Sequence, residues 1–153
     1  MVFVRFASAS ALWALAAAAA SGVAMAFQGA VNATAAKAIG LWETTFAVLA
    51  SGTLLTGAGL VLGLGQGGLA RLGAAPWWSL LGGPVGPVIT AAVAYGIRRA
   101  GAVGATTAII VGQIGMAALI DHLGWLGIQP IPFSPLKLLG VALLAVGAWI
   151  LLN

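Results

Sequence analysis

Long apolar runs separated by short polar breaks make up nearly the whole chain. Five runs approach the ~20 residues that a helix needs to cross ~30 Å of hydrocarbon. They are predicted at 7–36, 44–64, 77–97, 101–120 and 136–152. Stretches such as 14–20 do not alternate between apolar and polar residues, as the ~10-residue strands of a membrane β-barrel would. The pattern predicts an all-α, polytopic transmembrane bundle that forms a single domain over residues 1–153.

The first run admits a second interpretation, because Arg5, an apolar stretch and the small-residue match Ala24-Met25-Ala26 together resemble a secretory signal peptide. The apolar run resumes directly after this point, which favours a membrane-spanning helix. It is longer than a minimal span, so we expect it to be tilted or to extend beyond the hydrocarbon.

Composition agrees with the membrane assignment. Hydrophobic residues make up 62% of the chain and charged residues 5%, against about 25% charged in soluble domains. The six Lys and Arg residues are scattered and form no basic patch for nucleic acid. The glycine pattern G-x-G-x-x-G of nucleotide-binding sites is matched by Gly63, Gly65 and Gly68. The strand, helix and acidic residue that such a site requires are missing around it. A flexible loop with a glycine at the preceding helix end is therefore expected.

The basic residues divide evenly between the two membrane faces. The five spans place three on each side: Arg5, Arg71 and Lys137 on one, and Lys37, Arg98 and Arg99 on the other. Orientation normally follows an excess of Lys and Arg in cytoplasmic loops, so this chain is predicted to insert both ways and to form an antiparallel homodimer of ten helices. The alternative is one orientation set by something other than charge.

Polar residues are concentrated between the first two runs. Gln28 and Asn32 are spaced i, i+4 and share one helix face, where they would bind either a ligand or a neighbouring helix. Glu43 is the strongest functional hint, since acids in membrane helices are costly, and it could exchange a proton for a solute. Alternatively, it could complement the dipole at the start of a helix.

The third run contains prolines and glycines that predict an interrupted helix. Such interruptions either line a cavity or simply kink a packing helix. The predicted cavity-lining set combines this break with the nearby polar positions: Gln28, Asn32, Trp42, Glu43, Gly82, Gly83, Pro84, Gly86, Pro87 and Gln113.

Asp121 and His122 follow the fourth run as an adjacent polar pair. Neighbouring helical residues point about 100° apart, and neither a serine nor a ligand cluster accompanies them, so a polar pair beside the loop is favoured over a catalytic pair, with a gate as the functional alternative. Inverting one protomer would bring its Asp121 to the face that holds Glu43 of the other.

Ser134 followed by Pro135 predicts an N-cap for the last helix.

The succession of these motifs resembles the small YdcZ-type membrane proteins of the drug/metabolite transporter superfamily. The resemblance covers nearly the whole chain and rests on Gln28-x-x-x-Asn32, Gly40-Leu41-Trp42-Glu43, Pro76-Trp77-Trp78, Gly82-Gly83, Gly112-Gln113, Asp121-His122-x-Gly124, Ser134, Gly140 and Gly147. It implies a bacterial inner-membrane protein of five helices that works as paired inverted halves. Gln28, Asn32, Glu43, Gln113 and Asp121 fall on recurrent polar positions of the family.

The chain departs from the family pattern at one place, because many relatives have proline where it has Trp42-Glu43. Four-helix multidrug exporters of the superfamily use a glutamate in the first helix, and this first run has none. The proton-coupled mechanism of those exporters therefore does not transfer directly.

The predicted function is secondary transport of a small polar or cationic solute, with proton coupling as an option. No enzymatic activity, cofactor or metal is predicted. The predicted partners are a second copy of the chain, the lipid bilayer and a small-molecule substrate. The alternative is a non-transporting scaffold or an accessory subunit of a larger membrane complex.

Overall fold

The computed structural model describes residues 9–132 and 134–152, and these are helical almost throughout. The helices are α1 (Ala9–Ile39), α2 (Leu41–Val61), α3 (Gly82–Leu123) and α4 (Pro135–Leu152), with short 3-10 turns at Gly68–Ala74, Trp77–Leu81 and Trp125–Gly127. No strand occurs within the described ranges, which confirms the all-α prediction. The four helices are all long and apolar enough to cross a membrane, so the chain is a multi-pass membrane protein.

Single glycines form the two sharpest turns of the bundle. Gly40, with φ 102° and ψ 157°, is the whole connection between α1 and α2. Gly101, with φ 75° and ψ 166°, interrupts α3. This backbone region is essentially restricted to glycine, because a Cβ would clash there. Both turns therefore depend on the residue having no side chain.

The turn at Gly101 folds α3 into a hairpin of two halves, 82–100 and 102–123. A Cβ added to Gly96 would lie 3.5 Å from the Cβ of Ala105, whereas a straight helix would separate these positions by ~13 Å along its axis. The predicted third and fourth spans, 77–97 and 101–120, correspond to these halves.

The predicted interruption at 82–87 is wrong. The helix is continuous from Gly82 through Pro84 and Pro87, and the chain before it, Trp77–Leu81, is a 3-10 turn. Pro84 lies in the first turn of α3, where backbone N–H groups have no acceptor within the helix, so a proline there removes no helical hydrogen bond.

The helices pack as an up-and-down series, with α1 against α2 and α3, and α4 against α3. An Arg98 side-chain nitrogen donates to the Ala36 carbonyl at 3.4 Å, which places the end of α1 beside the end of the first half of α3. Leu152 at the end of α4 lies against Gly104. We call this end of the bundle the glycine-turn end, and the opposite end, with segments 62–81 and 124–134, the loop end.

Small residues make up the interior of this bundle. In the described part of the chain the buried apolar side chains are all alanines: Ala33, Ala36, Ala91, Ala94, Ala105 and Ala148. The Thr44 and Thr45 hydroxyls are also buried and donate to the carbonyls of Gly40 and Leu41 at 2.8 Å. Most of the large apolar side chains are exposed on the single chain. This arrangement is typical of membrane bundles, where close backbone packing replaces a large hydrophobic core.

Two predicted helix ends are confirmed. Ser134 Oγ accepts a hydrogen bond from the Lys137 backbone N–H at 3.3 Å and caps α4. Gly63 has φ 85° just beyond α2, and Leu64 N–H reaches back to the Gly59 carbonyl at 3.0 Å, as in a Schellman motif. The loop predicted beyond Gly63 contains the 3-10 turn Gly68–Ala74.

Candidate functional site

A cavity of about 190 Å³ lies between α1 and the two halves of α3. Its lining residues come from three helical segments: Gly22, Met25, Ala26, Gln28, Gly29 and Asn32 from α1, Ile89, Thr90, Val93 and Ile97 from the first half of α3, and Thr106, Ile109, Ile110 and Gln113 from the second. Drug-sized ligands usually occupy about 300–1,000 Å³. The cavity is therefore suited to a smaller molecule.

The polar groups of this cavity are three amides and two hydroxyls. Asn32 is the most enclosed, with 5% of its surface exposed, while Gln28 and Gln113 are exposed on the single chain. Each amide offers two donors and an acceptor oxygen. The remaining wall is largely aliphatic, and among residues 9–132 and 134–152 no titratable side chain lines it, so recognition there depends on neutral hydrogen bonds and shape.

Gln28 and Gln113 lie at the same depth in the bundle. Gln28 precedes the Gly40 turn by twelve residues, and Gln113 follows the Gly101 turn by twelve. At 1.5 Å per residue both amides are ~18 Å from the glycine-turn end, near the middle of a ~30 Å hydrocarbon layer. Two amides at this depth require hydrogen-bonding partners other than lipid.

The structure brings three of the predicted site residues together, namely Gln28, Asn32 and Gln113. Trp42 and Pro87 instead line a separate groove between α2 and the first half of α3. Glu43 is exposed in the first turn of α2, and its carboxylate folds over Gly40. Helix α2 contributes no lining residue to the cavity, so Glu43 is separated from the amides.

The other predicted residues lie at the loop end. Gly82, Gly83, Pro84 and Gly86 form the start of α3 and are not among the residues that line the cavity. Asp121 shares a pocket between α3 and α4 with Lys137, and His122 lines a neighbouring pocket. Within one chain these two residues are therefore at the opposite end of the bundle from Glu43.

Thr90 and Thr106 line the cavity but were not among the predicted site residues, and neither was Gly29. Gly22, Met25, Gly29 and Asn32 recur every three or four residues, a spacing that puts them on one helix face and that could have identified the α1 wall. No comparable signal connects Thr90 with Thr106, because only the Gly101 turn brings them together.

Metal binding finds no support in the part of the chain that the structure describes, where no group of three or more His, Cys, Asp or Glu side chains converges.

The comparison with family models gives a match that extends over residues 12–150. The matching family, DMT_YdcZ, is described as "Putative inner membrane exporter, YdcZ". Comparisons with curated proteins and with solved structures give no match.

Proposed function

The chain belongs to the YdcZ family of drug/metabolite transporters, and from this membership we propose that it is a secondary exporter of a small polar or cationic solute in a bacterial inner membrane. The solute binds in the cavity between α1 and the two halves of α3. Asn32, Gln28 and Gln113 supply the hydrogen bonds that orient it, and the aliphatic wall supplies the rest of the contact.

The observation that carries this proposal is the convergence of three amides from separate helical segments on one cavity. Asn32 is almost fully enclosed there. A buried amide is costly unless it is hydrogen-bonded, so a solute that donates and accepts hydrogen bonds gains affinity at this position. Amide oxygens also accept from an ammonium group, which brings small cations within the substrate class.

The working unit in this proposal is an antiparallel homodimer. Gln28 and Gln113 are exposed on a single chain at mid-membrane depth, where lipid offers no hydrogen bonds. A second, inverted copy against this face would cover both amides and enclose the cavity. Of the basic residues, the described part places Arg71 and Lys137 at the loop end and Lys37, Arg98 and Arg99 at the glycine-turn end, while Arg5 lies outside the described residues.

Proton coupling through Glu43 receives no support from the geometry. The side chain is exposed at the start of α2, and the cavity lining contains no titratable group. The dipole-complementing role that the sequence allowed for Glu43 fits this position better. We therefore assign solute recognition to the amides and leave Glu43 outside it.

Purified protein in liposomes tests the proposal through a flux screen of small cationic and neutral polar solutes. Asn32→Leu, which keeps the branched shape of the side chain and removes the amide, should lower flux of the identified solute by about fivefold or more, the cost of one lost hydrogen bond. Gln66→Leu is the matched control, because Gln66 lies in the loop-end segment away from this cavity. Equal flux through the Asn32→Leu and wild-type proteins would contradict the cavity assignment.

The antiparallel arrangement has its own test. A reporter fused to the carboxyl terminus should give a signal on both faces of the membrane, and a signal confined to one face would reject the inverted dimer.

Intact, dimeric protein that moves none of the screened solutes would favour the second candidate function, that of a scaffold or accessory subunit. The exposed apolar side chains on all four helices would then pack against a larger complex.

A further inference from the structure

Three basic side chains gather at the glycine-turn end of the bundle. Lys37 lies three residues before the Gly40 turn, and Arg98 and Arg99 lie just before the Gly101 turn. All three side chains are exposed. Two helices that end side by side therefore present their cations at the same level of the membrane.

The positions of these cations are held by specific contacts. The Arg98 guanidinium donates to the Ala36 carbonyl at 3.4 Å, so it crosses from α3 to the residue that immediately precedes Lys37. The Arg99 guanidinium lies 5.6 Å from the centre of the Tyr95 ring, within the range of a cation–π interaction. Arg98 thus links α3 to α1, and Arg99 is held against its own helix.

The positive charge of the cluster is left without a carboxylate partner. Glu43 is the acid at this end, but its carboxylate folds over Gly40, and none of the three cations forms an ion pair within residues 9–132 and 134–152. Arginine and lysine clusters are well suited to phosphate groups, which accept several charge-assisted hydrogen bonds.

We propose that Lys37, Arg98 and Arg99 form a binding site for the phosphate of one anionic phospholipid headgroup. The site lies only ~4.5 Å along α1 from the end of the span, the level at which headgroups meet the hydrocarbon. Basic pockets between membrane helices bind anionic headgroups in this way.

Native mass spectrometry of the purified full chain tests the site, with phosphatidylglycerol and phosphatidylcholine as the added lipids. The wild-type protein should retain one phosphatidylglycerol in preference to phosphatidylcholine. Lys37→Gln and Arg99→Gln should each weaken phosphatidylglycerol binding about fivefold, the effect expected for one cation near a membrane surface. Arg98→Lys keeps the charge and should keep the lipid.

Arg71→Gln and Lys137→Gln are the matched controls, since they remove one cation each from the loop end. Equal weakening by these variants would overturn the proposal, because it would reveal general charge attraction. Displacement of phosphatidylglycerol by inorganic phosphate at a similar concentration would also overturn the proposal, because it would indicate a site for free phosphate. The measurement requires no transport, so it remains informative if the transport proposal fails.

Discussion

Gly29 in α1 lies directly against Ile97 in the first half of α3. A Cβ at position 29 would be 2.7 Å from the Ile97 Cδ1 atom and 2.9 Å from the Val93 Cγ1 atom, both closer than van der Waals contact allows. Gly29 is buried, and all three residues line the cavity. The missing side chain of Gly29 therefore sets both the approach of the two helices and the width of the site.

Gly29→Ala should destabilise the protein by about 1–3 kcal/mol, the usual cost of overpacking a fitted interface, and should reduce solute flux because the helices are pushed apart. Thermal unfolding in detergent measures the first effect. Gly52→Ala in α2 is the control, since a Cβ there has no neighbour within 4 Å. Adding Ile97→Val removes the closest clashing atom and should restore part of the lost stability. Failure of this rescue would show that the two positions are not in contact.

Gln28→Leu and Gln113→Leu should each weaken solute binding about fivefold. Because both amides line one cavity and face a single small solute, their effects should be coupled rather than additive. Apparent affinities from the liposome assay for the two single variants and the double variant give the coupling energy. Strict additivity would indicate that the two amides never bind the same molecule.

Gly101→Ala should destabilise the protein by about 1–3 kcal/mol, because residue 101 occupies a backbone region that is essentially restricted to glycine. The turn it distorts holds the two α3 halves together, so solute binding should fall as well. Gly112→Ala is the matched control in the same helix, where a Cβ would meet nothing within 4 Å. Equal unfolding temperatures for the two variants would rule out the tight turn at Gly101.

Glu43→Gln should leave solute flux at the wild-type level with or without a pH gradient, because the carboxylate lies on α2 and outside the amide-lined cavity. The substitution keeps the size of the side chain and removes only its ability to ionise. Flux that loses its dependence on the pH gradient in this variant would contradict the assignment and would place Glu43 in the transport cycle.

The sequence was sufficient to predict which segments are long and apolar enough to cross a membrane, and to predict the start of α4 and the end of α2. Apolar run length, the Ser134 cap and the glycine after α2 are local properties, so they could be predicted without knowing what packs against them. The i, i+4 spacing of Gln28 and Asn32 likewise placed both on one face of α1 before any neighbour was known.

Only the packing of the helices against one another shows which further polar residues line the cavity with Gln28, Asn32 and Gln113. Segment 82–87 looked like the break that lines a cavity, yet α3 continues through Pro84 in its first turn and through Pro87 inside the helix, and the sharp turn in α3 falls at Gly101 instead. That turn brings Thr90 and Thr106 to the cavity beside Asn32, although they are distant in sequence. Their meeting depends on one glycine conformation and on the close packing of α1 against both halves of α3, which no local pattern encodes.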